Sequence, residues 1–165
     1  MSEQSVHLCV VKTPEGEKHY FTVLPLDTVF SKGLIPEAIV GVLMRPLAAG
    51  ESITPEVFAR NSIFVKFMHD VIAKYAPLEP GFAAEAKRQG TGWIYILDRR
   101  TKTPQGAVPP EDIIGAFQAK DGKVVPETYQ ASPRHMILSP DGFFRLTPGL
   151  HEHLLRELQS RMNAA

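Results

Sequence analysis

Three groups of side chains in this sequence have the residue types and spacing that chemistry requires. The first is Asp98-Arg99-Arg100-Thr101-Lys102, the densest basic cluster of the chain. The planar fork of an arginine matches a carboxylate or phosphate, and a neighbouring carboxylate such as Asp98 can orient a guanidinium. The second is Arg134-His135, with Tyr129 shortly before it. A histidine titrating near neutral pH can serve as acid or base, and a tyrosine hydroxyl can donate a hydrogen bond nearby. The third is Cys9, the one thiol, with His7 on its strand face and His19 across a turn. If Gly16 closes a bulged three-residue turn, Cys9 faces Phe21 and His19 lies diagonal to it. Thiolate–imidazole catalysis then needs a hydrogen bond between sulfur and ring.

Each group also has a purely structural explanation. A loop of arginines can form surface ion pairs, which are worth little. Tyr129 aligns with Phe58 in the repeat described below, which assigns its ring to packing. A free cysteine commonly behaves as a small buried apolar residue. The prolyl-glutamate pairs Glu37 and Glu111, and Glu56 and Glu127, suit the first turn of a helix better than a shared-proton dyad. His69 projects from the polar side of its helix and is expected in solvent. His151 and His153 lie about 200° apart on a helix and cannot share one ion there. One cysteine also excludes a multi-cysteine zinc or iron–sulfur site. No Walker loop, dinucleotide fingerprint, nucleophile elbow or zincin motif occurs, so neither metal nor cofactor is expected.

The elements that must position these groups can be read from periodicity. Val6-His7-Leu8-Cys9-Val10-Val11 and Tyr20-Phe21-Thr22-Val23-Leu24 predict a hairpin joined by Thr13-Pro14-Glu15-Gly16. Ile63, Phe64, Phe67, Met68, Val71, Ile72 and Tyr75 recur at helical spacing and predict a helix over about 55–75, capped by Thr54 or Asn61. Trp93 to Leu97 reads as a strand. Met136 to Leu146 reads as a hairpin turning at Ser139-Pro140-Asp141-Gly142. A last helix over about 148–162 starts from Thr147 and Pro148 and buries a leucine stripe.

An internal echo organises the rest. Pro36-Glu37-Ala38-Ile39-Val40-Gly41-Val42-Leu43 returns as Pro110-Glu111-Asp112-Ile113-Ile114-Gly115-Ala116-Phe117, and Pro55-Glu56-Val57-Phe58 as Pro126-Glu127-Thr128-Tyr129. The apolar run at Ile39 is ambiguous alone. Its counterpart leads into the hairpin signal Asp121-Gly122, so both are predicted to be strands. The expected architecture is a single α+β domain. Its antiparallel β-sheet comes from two diverged tandem copies, about 18–77 and 93–146, joined by a linker at 78–92 with a short helix around Ala83 to Arg88. Where the second copy has Asp98-Arg99-Arg100, the first has Pro25-Leu26-Asp27-Thr28, so a shared scaffold does not require the arginines.

Bulk composition narrows the function classes. Eighteen basic residues balance eighteen acidic ones, which disfavours general nucleic-acid binding. No apolar run approaches the roughly 20 residues needed to span a bilayer, and the first residues lack the pattern of a secretory signal. A cytoplasmic, soluble protein is expected, and weak charge repulsion is compatible with a homodimer. With no catalytic constellation in view, the leading expectation is a non-enzymatic binding or assembly module. Its ligand would be a protein partner or a small anion, held by Asp98, Arg99, Arg100, Tyr129, Arg134 and His135. The alternative is a small enzyme with a dispersed acid/base site at Asp98, Tyr129 and His135.

Overall fold

The turn at Pro14-Glu15 sets the register of the first hairpin. In the computed structural model, which describes residues 6–102 and 104–164, strand β1 (His7–Thr13) pairs antiparallel with β2 (Gly16–Thr22), and Thr13 stands opposite Gly16. Gly16 has φ +117°, where L side chains are rarely found. The Thr13 hydroxyl donates to the Gly16 carbonyl at 2.7 Å. The loop is thus two residues long, which corrects the expected bulged turn. Cys9 lies opposite Tyr20, not Phe21, and His19 lies opposite Val10 on the other face of the hairpin. A one-residue change of register moves a side chain across the sheet, and the Cys9–His19 pair is lost with it.

The remaining elements in chain order are α1 (Leu26–Lys32), β3 (Ile39–Leu43), β4 (Phe58–Arg60), α2 (Ser62–Tyr75), α3 (Pro80–Gln89) and β5 (Gly92–Leu97). They continue with β6 (Ile113–Lys120), β7 (Lys123–Ala131), β8 (Leu138–Ser139), β9 (Gly142–Phe143) and α4 (Pro148–Ala164). Four helices and antiparallel sheets make this an α+β fold. No helix among the described residues is long and apolar enough to cross a membrane. The chain divides into two compact units. One runs to Met68 and adds Ile137–Phe143 and the chain from Leu154; the other comprises His69–Met136 and Phe144–His153.

The first unit holds a four-stranded sheet in the order β1-β2-β3-β4. The helix expected from about 55 begins only at Ser62. Pro55–Val57 forms a 3-10 turn, and β3 recruits the next three residues as β4, with Leu43 opposite Phe58 and Gly41 opposite Arg60. Asn61, not Thr54, then starts α2. Its Oδ1 accepts from the Ile63 amide at 3.2 Å, while its side-chain amide donates to the carbonyls of Pro36 and Ile39, each at 2.8 Å. Such a cap satisfies backbone groups that a helix start leaves open. A Cβ on Gly41 would meet the Phe58 ring and, at 2.5 Å, the Ala59 carbonyl oxygen. Phe58 packs edge-on against Phe21 and Phe143 in this unit's aromatic cluster.

The second unit holds the sheet β5-β6-β7. Asp121 and Gly122, at φ 53° and 79°, make the tight β6–β7 turn that the Asp-Gly pair predicts. The segment at 78–92 carries the ten-residue helix α3, whose buried Ala86 packs with Ile94 and Ala119. In both units a Pro-Glu 3-10 turn leads into the strand bearing the central glycine: Pro36–Ala38 before β3 and Pro110–Asp112 before β6. In both, the pairing shifts register just before that turn's partner strand ends, at Phe21/Thr22 and at Ile96/Leu97. Further on the two differ, because Pro126 and Glu127 lie inside β7 and not in a 3-10 turn.

Candidate functional site

Strand β5 ends at the register shift between Ile96 and Leu97, and the next three residues leave it in different directions. Asp98 is fully buried and its amide donates to the Asp112 carbonyl at 2.7 Å. Its Oδ1 accepts from the backbone amides of Arg100 (3.1 Å) and Arg145 (2.9 Å), and its Oδ2 lies 2.9 Å from Nε2 of His135. The Arg100 side chain is 3% exposed. It donates from Nε to Asp112 at 2.7 Å, and from one terminal nitrogen to the carbonyls of Glu111 (2.8 Å) and Met136 (2.7 Å). Two carboxylates, a guanidinium and an imidazole thus form one closed, buried network. Closure of this kind fixes geometry, since a buried ion pair is useful only when its remaining donors and acceptors are met.

The structure brings Asp98, Arg100 and His135 together, and Arg100 is no surface cation. The network also uses Asp112, which appears in the sequence only as one position of the internal echo. Its equivalent in the first unit, by position after Pro-Glu, is the buried Ala38. That substitution of carboxylate for methyl was the available signal.

Arg99 takes the opposite course and is exposed. It lines a cavity of about 500 Å³ in the second unit, whose lining includes the apolar Phe82, Ile96 and Leu150 and the polar Glu79, Thr101 and Thr147. Glu79 is already engaged: the Thr147 hydroxyl lies 2.8 and 3.0 Å from its two carboxylate oxygens. Thr147 also caps α4, accepting from the Leu150 amide at 3.2 Å. A Cβ on Gly149 would come within 2.6 Å of the Glu79 carboxylate, so the glycine leaves room for it. The Thr101 hydroxyl is buried and, among the described residues, has no hydrogen-bond partner.

Tyr129 is placed elsewhere. Its ring packs on Phe117 (4.9 Å between centroids), and its hydroxyl lies 2.6 Å from Nδ1 of His69. Burial pushes the phenol well above the ordinary tyrosine range, so it stays protonated beside the imidazole. His69 is thus half-buried against Tyr129, which corrects its expected place in solvent. Its spacing on α2 offered no hint, because the partner comes from β7. His153 stacks on Tyr75 with 3.8 Å between ring centroids. Arg134 is exposed, with its amide 3.4 Å from the Ser132 hydroxyl. Of the residues considered for acid/base chemistry, Asp98 and His135 meet, and Tyr129 bonds His69 instead.

Among the described residues no cluster of three or more His, Cys, Asp or Glu could hold a metal ion. No protein-family model matches this chain, and no curated protein and no solved structure is significantly similar to it.

Proposed function

We propose that the chain is a non-enzymatic, soluble, cytoplasmic binding module whose ligand enters the cavity beside Arg99. The observation that carries this reading is the division of labour at the end of β5. Asp98 and Arg100 neutralise charge inside the protein, while Arg99 keeps its guanidinium at the rim of a cavity of about 500 Å³. That volume lies in the range of small-molecule sites, roughly 300–1,000 Å³. Mixed lining favours it further, since small-ligand sites combine apolar walls with a few fixed polar groups. The acid/base alternative receives less support, because the Asp98 and His135 side chains are at most 2% exposed and their facing atoms bond each other.

A tandem origin of the two β-rich segments belongs to the same proposal. The paired Pro-Glu turns, register shifts and tightly packed glycines support it. Duplication would supply two similar scaffolds, of which only the second carries the buried carboxylate network and Arg99.

A fragment screen by two-dimensional NMR tests the proposal. Bound fragments should shift the amide resonances of Tyr95, Leu97, Thr101 and Leu150. A library in which no fragment moves those resonances would remove the reading. A second reading, assembly through a homodimer, is favoured by Phe30 (86% exposed) and by the place of β1 at the edge of its sheet. Sedimentation of the native chain and of Phe30→Ser distinguishes it, since only an assembly interface would make association depend on that ring.

A further inference from the structure

We infer that two copies of this chain join edge to edge through β1, antiparallel about a twofold axis at Val10, an inference that rests on assembly as a homodimer. The direction of the backbone groups in the first sheet is fixed by two hydrogen bonds. The Asn61 amide donates to the Val40 carbonyl at 3.0 Å, and the Met44 amide to the Val57 carbonyl at 2.8 Å. Hydrogen-bonded and non-hydrogen-bonded pairs alternate along an antiparallel ladder. Val40, Val42 and Met44 therefore face the β4 side, and Gly41 between them faces β2, where its partner is Phe21. Phe21 directs its backbone groups to Gly41, so Leu8, opposite Phe21 in β1, has its amide and carbonyl turned outward. By the same alternation those of Val10 and Lys12 also point away from β2.

Sheet edges invite pairing with another chain, and proteins ordinarily blunt them. Among the described residues, the outer strands of the two larger sheets are β1, β4, β5 and β7, and all but β1 are blunted. Strand β4 has three residues, β7 contains Pro126 and shifts register against β6, and the Gln89 side-chain amide donates to the Trp93 carbonyl of β5 at 2.8 Å. In contrast β1 has seven residues in unbroken register with β2, and no proline. Leu8 and Val10 stand on one of its faces, 41% and 48% exposed. A second β1 is the complement this edge fits. Set antiparallel with Val10 opposite Val10, every residue from His7 to Thr13 pairs, and the outward groups of Leu8 meet those of Lys12 in the other copy. An axis at Cys9 would pair only His7 to Val11, and one at Lys12 would oppose two ammonium groups. A formal net charge of zero adds no general repulsion between copies.

Sedimentation of the full chain across a dilution series should show a monomer–dimer equilibrium. Val10→Lys and Val10→Glu each set like charges against each other on the axis, and each should weaken association roughly tenfold or more. Mixed in equal amounts the two variants should associate again, because an ammonium then meets a carboxylate there. Both changes fall at an exposed position, where substitutions disturb folding little. In the wild-type chain the amides of Leu8, Val10 and Lys12 should exchange with solvent more slowly as concentration rises, a readout that needs no substitution. Dimers that persist in both single variants, or β1 amides whose exchange ignores concentration in a chain that dimerises, overturn the β1 interface while assembly stands. Monomeric variants that stay apart when mixed overturn the axis at Val10. A wild-type chain that sediments as a monomer at every dilution removes the homodimer itself.

Discussion

Nε2 of His135 lies 2.9 Å from Oδ2 of Asp98, and neither side chain is more than 2% exposed. Through Arg100 the same carboxylate is tied to Asp112, so the chain leaving β5, the turn before β6 and the segment before β8 share one polar centre. Asp98, Arg99 and Arg100 look alike in sequence as one charged loop, yet the network takes the first and third and leaves the second outside.

Arg100 and Arg99 should therefore answer differently to the same substitution. Arg100→Ala strands two buried carboxylates and two carbonyls, and breaking a buried pair costs about 3–5 kcal/mol. Arg100→Lys should recover little, because a point charge cannot serve Asp112 and two carbonyls with the planar fork's geometry. Arg99→Ala should change stability by no more than about 0.5 kcal/mol, as is usual for an exposed site. Urea denaturation of the three variants measures this. Equal midpoints for Arg99→Ala and Arg100→Ala would contradict the assignment of one to the interior and one to the rim.

Gly41 and Gly115 should both resist alanine. In the first unit an added Cβ meets the Phe58 ring, and in the second it falls 2.5 Å from the Tyr129 hydroxyl. The backbone oxygens of Ala59 and Gln130 stand behind them at 2.5 and 2.8 Å and cannot swing away. Overpacking of this kind destabilises by about 1–3 kcal/mol. Adding Tyr129→Phe to Gly115→Ala removes the hydroxyl but leaves the ring carbon and the Gln130 oxygen in place, so the rescue should be partial. Thermal melts of both alanine variants at wild-type temperature would show that the sheets open more easily than this packing allows.

The parts of the fold legible in the sequence are those fixed by short-range rules. Asp121-Gly122 specifies its own turn, Thr147-Pro148 specifies the start of α4, and the shared Ile-x-Gly pattern identifies β3 through β6. Register was less legible, because Thr13-Pro14-Glu15-Gly16 is compatible with loops of two or three residues, and the choice decides which face Cys9 occupies. The start of α2 was misread because Phe58-Ala59-Arg60 continues the helical apolar pattern locally, while pairing with β3 takes those residues into a strand. At the site, Asp98, Arg100 and His135 were visible as residue types, but Asp112 and the cavity were not. Which of two adjacent arginines turns inward is set by a register shift at the end of β5 and by partners 11 to 36 residues away.

Alkaline pH should weaken the wild-type chain more than Tyr129→Phe. Burial raises the phenol above its ordinary value near 10, so above that pH the unfolded chain sheds a proton that the folded chain retains. The stability this contributes is whole below about pH 10 and declines as pH rises towards the folded value. Near neutral pH the variant should be the weaker by about 1 kcal/mol, from the lost hydrogen bond to His69. The gap should narrow between about pH 10 and 11.5. Paired denaturation curves across that window check it, and a constant gap would place the Tyr129 hydroxyl in contact with water.

Acid pH should act through His151 with the opposite sign. The imidazole lies in the leucine stripe of α4 at 7% exposure, and desolvation holds it below the ordinary histidine range. Below about pH 6.5 the unfolded chain therefore takes up a proton that the folded chain refuses, and the stability present at higher pH is lost as pH falls. Leucine at this position suits both the buried stripe and the helix, and it removes the titrating group. His151→Leu should consequently retain more of its neutral-pH stability than wild type between about pH 6.5 and 5, with the two curves parallel above pH 7.5. Chemical denaturation at half-unit steps of pH provides the comparison. Parallel curves through the acid range as well would show that the folded chain accepts the proton at His151 as readily as the unfolded one.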